Sequence, residues 1–183
     1  MISYSGIGTR ETTPKEEERI LKISEKLSKS FVLYSGNASG SDRKFQEGCN
    51  GNCVLFLPWA SFDSDKYDFT KALDVFDLGK SPEGMASVEK FHPNGKNMKY
   101  THKLLMSRNY HQIMGYKQYP RVSFVVCCAS EDDEGNVLGG TGQAVRIAKN
   151  IGIPVINIRV PGWSDYLSHT IKSVIKELRH DIT

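Results

Sequence analysis

Three short glycine-containing turns are the parts of this sequence whose residue types and spacing best suit chemistry. They span residues 6–10, 36–42 and 139–143, and each follows a short apolar run and precedes a helical pattern. If the apolar runs are neighbouring parallel strands, the turns share the carboxyl-terminal edge of one sheet, where such sheets bind ligands. Backbone N–H groups at a helix start attract anions, and glycine lets the backbone approach them closely. The turns therefore predict a site for a phosphate-bearing ligand.

Polar side chains in and near the turns complete this candidate site. Arg10 and Arg43 could neutralise a phosphate, and the hydroxyl groups of the turns could donate hydrogen bonds to it. Asp42 could accept hydrogen bonds from a ribose, cap its own helix, or act as the candidate catalytic carboxylate. The predicted ligand-binding residues are Gly8, Thr9, Arg10, Gly36, Asn37, Ser39, Gly40, Ser41, Asp42, Arg43, Arg108, Asn109, Gly139, Gly140, Thr141, Gly142 and Gln143. Any single turn also fits a plain strand-to-helix connection, and none matches the Walker or dinucleotide-binding pattern.

The segment 102–115, HKLLMSRNYHQIMG, supplies the last two residues of that set. On a helix, its apolar residues would be buried and its polar residues would cluster in one turn. Arg108 and Gln112 lie four positions apart, so they could reach one ligand from the same face. We predict that Arg108 and Asn109 belong to the site; the alternative is a polar helix face exposed to solvent.

The elements that must position these residues alternate along the chain. Apolar runs predict strands at residues 1–7, 31–35, 53–59, 122–129 and 154–158, with helical patterns that end near residues 29, 48, 149 and 179. The first helix should begin with Thr13 as N-cap, Pro14 at its first position and Glu16 completing a capping box. Because the strands are continuous apolar runs, we expect an α/β fold with a parallel sheet of about five or more strands and helices on both faces.

Residues 59–97 interrupt this alternation. The stretch is rich in Asp, Ser, Lys and aromatic residues, with weak helical periodicity around residues 67–76. Such an excursion in a compact α/β domain is more often functional than a plain connector, so we expect one domain over residues 1–183 with a lid-like insert at about 59–97. Trp59, Phe62, Tyr67 and Phe69 could stack on a base there or form the core of the insert itself.

Composition limits the classes of protein to consider. With 183 residues, 39% hydrophobic and 25% charged, the chain suits one domain with a substantial core. It has neither a bilayer-length apolar run nor the features of a signal peptide, so we expect a cytoplasmic protein with no membrane partner. A net charge of +3, spread along the chain, makes nucleic acid a possible but less expected partner. The four cysteines should be reduced, and no spacing predicts a metal or cofactor site.

Five motifs, in order, carry a resemblance to known proteins: GIGTRE, SGNASGSDRKFQEG, LPW, RNYHQIMG and GGTGQAVRIAKNIGIPVIN. Together they resemble a group of proteins, many encoded by phages, that are described as similar to DNA-processing protein A. That group belongs to the Rossmann-like SLOG superfamily, which also contains the LOG nucleotide hydrolases. The resemblance implies a Rossmann-like fold, homo-oligomers as a possible assembly, and a nucleotide-type small molecule above the glycine turns. Its phosphate would lie among Gly36, Gly40, Gly139, Gly140 and Gly142.

One position departs from the LOG pattern. Where LOG enzymes have a glutamate on the helix after the glycine motif, this chain has Arg146. Cleavage of an N-glycosidic bond needs a carboxylate to activate water and stabilise the cationic sugar, and arginine can do neither. Arg146 could instead hold a phosphate or lie solvated on the helix surface. The departure favours binding over hydrolysis, although another carboxylate could substitute: Asp42, Glu11, Glu131, Asp132, Asp133 or Glu134.

Three functions remain open from the sequence. The leading hypothesis is binding, and even sequestration, of a nucleotide or nucleotide-derived signalling molecule. The second is a LOG-type nucleotide N-glycosidase or nucleoside transferase, with Asp42 as its candidate catalytic residue. The third is single-stranded DNA binding or recombination mediation of the kind that DNA-processing protein A performs. The sequence leans towards a protein that is not an enzyme.

Overall fold

A computed structural model describes residues 1–180, apart from the side chains of Leu178 and His180. The strands are β1 (Ser3–Gly8), β2 (Val32–Ser35), β3 (Cys53–Leu57), β4 (Asp74–Asp77), β5 (Phe124–Cys128) and β6 (Val155–Asn157). The helices are α1 (Pro14–Leu27), α2 (Ser41–Gly48), α3 (Pro82–Phe91), α4 (Tyr100–Met114), α5 (Gly139–Asn150) and α6 (Trp163–His180). None of the described helices is both long and apolar enough to cross a bilayer.

The six strands form one sheet in the order β4-β3-β2-β1-β5-β6, and every neighbouring pair is parallel. The chain builds the sheet outwards from β1 to β4, then returns to place β5 on the other side of β1. The order of the strands therefore reverses between β1 and β5. In open α/β sheets, ligands bind beyond the carboxyl ends of the strands at such a switch point.

Two apolar cores cover the two faces of the sheet. On one face, α1, α2 and α6 contribute residues such as Ile20, Phe45 and Leu167 to a core that includes Tyr4 and Phe124. On the other face, α4 and α5 pack through Ile113, Val145 and Ile147 against alternate residues of the same strands. Because both faces are covered, the strands read as continuous apolar runs, as the sequence predicted.

The start of α1 follows its sequence signals closely. Thr13 is the N-cap, its side chain accepts a hydrogen bond from the Glu16 amide, and the Glu16 side chain accepts one from the Thr13 amide. Pro14 occupies the first turn, where a missing N–H costs nothing. The predicted capping box is confirmed, and the helix directs the loop after β1 over the carboxyl edge of the sheet.

The segment 59–97 differs from the prediction in its local structure. The weak helical periodicity around residues 67–76 corresponds to one turn of 3₁₀ helix, Phe69–Lys71, followed by strand β4. That strand pairs with β3 at the edge of the sheet, and helix α3 follows it. The helical interpretation was wrong because an edge strand of four residues, DVFD, gives too little periodicity to recognise.

Candidate anion-binding cleft at the switch point

A cleft of about 940 Å³ lies where the strand order reverses. The loops after β1 and β5 and the first turn of α5 form one side, and α4 with the segment before it forms the other. Its lining consists of Ile7, Gly8, Thr9, Arg10, Ala38, Asp42, His92, Asn94, Asn97, Met98, Lys99, His102, Leu105, Met106, Arg108, Asn109, Ala129, Ser130, Leu138, Gly139, Gly140 and Thr141. Two of the three predicted turns, residues 6–10 and 139–143, therefore meet at one cavity.

The charge of this lining is positive. Arg10, Lys99 and Arg108 are its permanent cations, and Asp42 is its one carboxylate among the described residues. Burial lowers the pKa of His92, and the nearby Arg146 adds to that shift, so this imidazole is neutral at pH 7. Three cations against one carboxylate leave the cleft suited to an anion.

The first turn of α5 contributes backbone donors to the same cavity. Leu138 is its N-cap without a side-chain hydrogen bond, and the amide of Gly142 donates to the Leu138 carbonyl at 3.1 Å. The preceding amides, from Gly139 to Thr141, lie in the first turn, where N–H groups have no helical acceptor. Gly139 has a φ of +66° and open space where a side chain would stand. This helix start is free to receive an anion.

Asn109 fixes the position of that turn. Its Nδ2 donates to the Gly140 carbonyl at 3.2 Å and to Oε1 of Gln143 at 3.3 Å. Gln143 is fully buried and donates in turn to the Ser87 hydroxyl of α3 at 3.4 Å. Gln143 therefore supports the turn from behind and does not line the cleft.

Arg108 and Asp42 form a buried ion pair at the base of the cleft. Arg108 Nη1 lies 3.5 Å from Asp42 Oδ2, with side-chain exposures of 5% and 2%. The same Nη1 donates to Oε1 of Gln112, and Nε of Arg108 has no partner among the described residues. Burial of both side chains leaves one unsatisfied donor on a guanidinium that lines the cleft.

The pKa values of the pair reflect its burial. Desolvation raises the pKa of Asp42, against the opposing effects of Arg108 and of the backbone amides of Gly36, Ala38 and Gly8. Desolvation also lowers the pKa of Arg108, although the nearby carboxylate favours its charged form. Gly36 donates to Asp42 Oδ2 at 3.1 Å, so this carboxylate binds backbone and does not cap its helix.

The second glycine turn, residues 36–42, is closed by contacts within the protein. The Ser41 hydroxyl and amide both donate to the Thr9 carbonyl, at 2.9 and 3.0 Å, and Asn37 Nδ2 donates to the Phe62 carbonyl at 2.9 Å. Gly40 has a φ of +77° and packs against the backbone of residues 9–10. Only Asp42 and Ala38 of this turn line the cleft.

The structure thus separates the predicted site residues into two groups. Those that line the cleft are Gly8, Thr9, Arg10, Asp42, Arg108, Asn109, Gly139, Gly140 and Thr141. Those that do not are Gly36, Asn37, Ser39, Gly40, Ser41, Arg43, Gly142 and Gln143. Most of the second group hold the turns together: Gly36, for example, leaves room for Arg108, whose Nη1 would lie 1.2 Å from an added Cβ.

Arg43 and Arg146 lie outside the cleft lining, and each donates a hydrogen bond to a backbone carbonyl. Arg43 Nη1 binds the Lys66 carbonyl, and its guanidinium lies 5.7 Å from the centre of the Tyr67 ring. Arg146 is half-buried, and its Nε donates to the carbonyl of Phe91 at 2.5 Å, at the end of α3. The sequence left two alternatives open for Arg146, a phosphate contact or a solvated position on the helix surface. The structure shows neither arrangement.

The polar residues of α4 are buried, contrary to the alternative of a solvated face. Arg108, Asn109, His111 and Gln112 are all less than 5% exposed, whereas Met106 is only half-buried. The reason is that α4 packs its polar face against the cleft and the α3 and α5 helices, where these groups find hydrogen bonds. The hydroxyl of Ser81, the N-cap of α3, for instance, forms a hydrogen bond with Nε2 of His111 at 2.6 Å.

Sequence reasoning missed the residues that the α3–α4 connection brings to the cleft. His92, Asn94, Asn97, Met98 and Lys99 line it, together with His102 of α4. The polar run HPNGKNMK at residues 92–99 was the available signal, but its distance from the glycine turns in sequence concealed its position. The end of the predicted insert therefore reaches the cleft.

The aromatic residues of the 59–97 segment lie apart from this lining. Trp59 and Phe62 contact each other edge to face, with ring centres 5.1 Å apart, and Tyr67 lies 6.4 Å from Phe69. Phe62 is buried, with the Arg108 guanidinium 6.0 Å from its ring centre. Tyr67 and Phe69 pack against the main core on the face of α1, α2 and α6, so the four rings neither line the cleft nor form a separate core of their own segment.

Neither a metal-binding cluster nor a disulfide is present among the described residues. Among the side chains that the structure describes, no three His, Cys, Asp or Glu residues are placed to hold a metal ion. Cys49, Cys53, Cys127 and Cys128 are free and buried. Burial raises the pKa of Cys127 and Cys128, which favours their protonated form, whereas a hydrogen bond with Cys53 lowers the pKa of Cys49.

The sheet order, the parallel strands and the helices on both faces define a Rossmann-like α/β protein with its cleft at the switch point. No protein-family model and no curated protein matches the sequence. Among solved structures, the chain is similar to DNA processing protein A from Helicobacter pylori, described for its single-stranded DNA binding mode: 15% identity, TM-score 0.52, covering 98% of this chain and 81% of that one. It is also similar to DNA processing protein A from Streptococcus pneumoniae, at 13% identity and TM-score 0.47, covering 94% of this chain and 56% of that one. At 15% identity, the likeness to the Helicobacter pylori protein supports the fold alone.

Proposed function

We propose that the switch-point cleft binds single-stranded DNA through its phosphate groups. The observation that carries the proposal is the combination of Arg10, Lys99 and Arg108 with the open first turn of α5 in one cavity. Phosphates are recognised by such cations and by backbone amides at helix starts. The charge is local to the cleft, which is why the modest net charge of +3 gave little sign of it.

The arrangement of cations suits a strand that enters from the rim. Arg10 and Lys99 are exposed at the edge of the cleft, whereas Arg108 lies at its base with an unpartnered Nε. The cations at the rim can attract successive phosphates of the strand. The buried guanidinium of Arg108 can bind a phosphate that reaches the base of the cleft. The Helicobacter pylori protein of the same fold is described as binding single-stranded DNA, which supports this choice of ligand.

A nucleotide-type small molecule is the second candidate, and the dimensions of the cleft favour it. A cavity of about 940 Å³ has the size of a small-molecule site, and no Phe, Tyr or Trp among the described residues lines it. Non-specific single-strand binders commonly stack bases on aromatic side chains. The absence of such a platform in the described lining leaves a compact phosphate ligand as a real competitor for the same residues.

A LOG-type hydrolase would need a carboxylate free to act on the ligand. Asp42 is the carboxylate that the described lining offers, and its Oδ2 is already bound to the Gly36 amide and faces Arg108. That geometry supports a binding role for the cleft and gives Asp42 a structural task. Product analysis after incubation with nucleotides would reveal free base if Asp42 nonetheless acts as a catalyst.

The test is fluorescence anisotropy with a labelled DNA strand of about 12 nucleotides, comparable to single-strand site sizes in other binding proteins. Engagement of three cations predicts that log K falls with log[salt] with a slope of about −2. Lys99→Glu should weaken binding by about tenfold or more, because it replaces a rim cation with an anion. Lys29→Glu is the matched control, since Lys29 is exposed after the end of α1, at the opposite edge of the sheet.

Competition with unlabelled ligands distinguishes single-stranded DNA from a nucleotide-type small molecule as the ligand of the cleft. If unlabelled single strands compete and mononucleotides do not, the DNA proposal stands. If calorimetry instead detects a tightly bound nucleotide while DNA binding is weak and equally sensitive to Lys29→Glu, the small-molecule candidate replaces it.

A further inference from the structure

We propose that the groove between α1 and α6 is a docking site for an acidic amphipathic helix of a partner protein. The groove has a volume of about 440 Å³ and lies on the sheet face opposite α4 and α5. Its floor consists of Ile23 and Leu27 of α1 with Trp163, Leu167 and Ile171 of α6. These side chains belong to or pack against the core beneath, so the floor is a firm apolar surface.

The rim of the groove is basic. Lys15, Arg19, Lys22 and Lys26 recur at three- or four-residue intervals and line the groove along α1, whereas the α6 side offers the hydroxyls of Ser164 and Ser168. Lys22 is paired with Glu18 at 2.6 Å. Glu18 is the one carboxylate of the described groove lining, and no ion pair joins it to Lys15, Arg19 or Lys26.

Two of these cations are available to a partner, and the third is held in place. Lys15 and Lys26 are exposed and have no hydrogen bond or ion pair with the described residues. Arg19 donates from Nη1 to the Ile158 carbonyl at 2.9 Å, and its guanidinium lies 5.3 Å from the centre of the Trp163 ring. The Arg19 guanidinium is therefore held in place at the boundary between the basic rim and the apolar floor of the groove.

The shape and charge together select the partner. From Lys15 to Lys26 the rim extends along α1 for about 17 Å, or three helical turns, which matches an amphipathic helix laid in a groove. An apolar face would cover Trp163 and Ile171, and acidic residues beside it would meet the rim. A second copy of this chain would bring the same basic rim against itself, and nucleic acid would leave the apolar floor without a complement.

The test uses a blocked synthetic peptide of about 18 residues, with leucines on one helical face and glutamates on the other. A peptide of the same composition in scrambled order is the reference. Binding is measured by calorimetry and by Trp163 emission in a Trp59→Phe background, because the chain contains two tryptophans. We expect the amphipathic peptide to bind about tenfold or more tightly than the scrambled one.

The double substitution Lys15→Glu/Lys26→Glu should weaken binding of the amphipathic peptide by about tenfold or more. Lys172→Glu/Lys176→Glu changes the same net charge at exposed positions of α6 outside the groove lining and should leave binding unchanged. Equal binding of the scrambled peptide, equal loss in both double variants, or no binding would each overturn the proposal. Binding of anionic lipid vesicles without binding of the peptide would overturn it in favour of a membrane surface.

Discussion

The Arg108 guanidinium lies 3.5 Å from the Asp42 carboxylate, and both side chains are almost completely buried. Two charges at the base of a cleft are tolerated because each compensates the other and backbone amides bind the carboxylate. Arg108 also lines the cleft, and its Nε is buried without a hydrogen-bond partner among the described residues. The same two residues therefore affect both the stability of the fold and the charge of the cleft.

Removing one member of this pair should destabilise the protein. Asp42→Asn leaves the Arg108 charge buried without its counterion, which typically costs about 3 kcal/mol or more of unfolding free energy. Urea unfolding at pH 7 measures the loss. The double variant Asp42→Asn/Arg108→Met removes both charges and should recover part of it; additive losses in the double variant would show that the pair is not energetically coupled.

Gly36 should be intolerant of even one methyl group. An alanine Cβ there would lie 1.2 Å from Nη1 of Arg108, so Gly36→Ala forces the guanidinium out of its position. We expect a loss of about 2 kcal/mol from overpacking, together with weaker DNA binding. Gly139→Ala is the contrasting variant, because open space surrounds that position and only its φ of +66° is unfavourable, at a cost of about 1 kcal/mol.

If Gly36→Ala is as stable as the unmodified protein, or if both alanine variants lose the same amount, Arg108 is not confined as the structure indicates. Circular dichroism of each variant, followed by urea titration, distinguishes these outcomes.

The bond between Glu16 and Arg159 should make stability depend on pH in the acid range. The hydrogen bond from Arg159 Nε, at 2.6 Å, lowers the pKa of Glu16 to about 2. A carboxylate with a lowered pKa contributes its full stabilisation above its unfolded pKa of about 4.5, and that contribution disappears as pH falls towards about 2.

Glu16→Gln isolates this charge, because glutamine at that position can still complete the capping box with Thr13. The difference in unfolding free energy between Glu16→Gln and the unmodified protein should be largest near neutral pH and shrink through the window from about 4.5 down to about 2. Glu25→Gln, at an exposed position of the same helix, is the control for the removal of a carboxylate from α1. A constant difference for Glu16→Gln would contradict the assignment.

Much of the fold was accessible from the sequence because the central strands are buried on both faces. Runs such as those at β3 and β5 are apolar without interruption, and the turns after β1 and β5 were placed at one edge by the parallel arrangement alone. Edge strand β4 was missed because it is short and partly exposed, with Asp at both ends. Local hydrophobic patterns therefore identify the buried central strands but not a short, partly exposed strand at the edge of the sheet.

The candidate site was less accessible because its composition depends on long-range packing. Arg108 was identified from its place in a polar turn, but its burial against Asp42 arises from the approach of α4 to the second glycine turn. Lys99 was missed because only the path of the chain after α3 brings it to the cleft. Charge spread evenly along a sequence can therefore become concentrated in the fold.

Asn109 should act on binding by positioning the first turn of α5. Its Nδ2 donates to the Gly140 carbonyl and to Gln143, so Asn109→Asp replaces a donor with a carboxylate that faces a carbonyl oxygen. We expect the turn to shift, and the affinity for single-stranded DNA to fall by about tenfold or more, because the amides at the helix start lose their alignment.

Asn109→Ala removes the donor without adding charge and should cause a smaller loss in the same direction. Asn50→Asp adds the same charge at an exposed position outside the cleft lining and should leave affinity unchanged at fixed salt. If Asn109→Ala binds DNA as tightly as the unmodified protein while Asn109→Asp does not, charge alone explains the effect and the turn of α5 does not depend on Asn109 for its position.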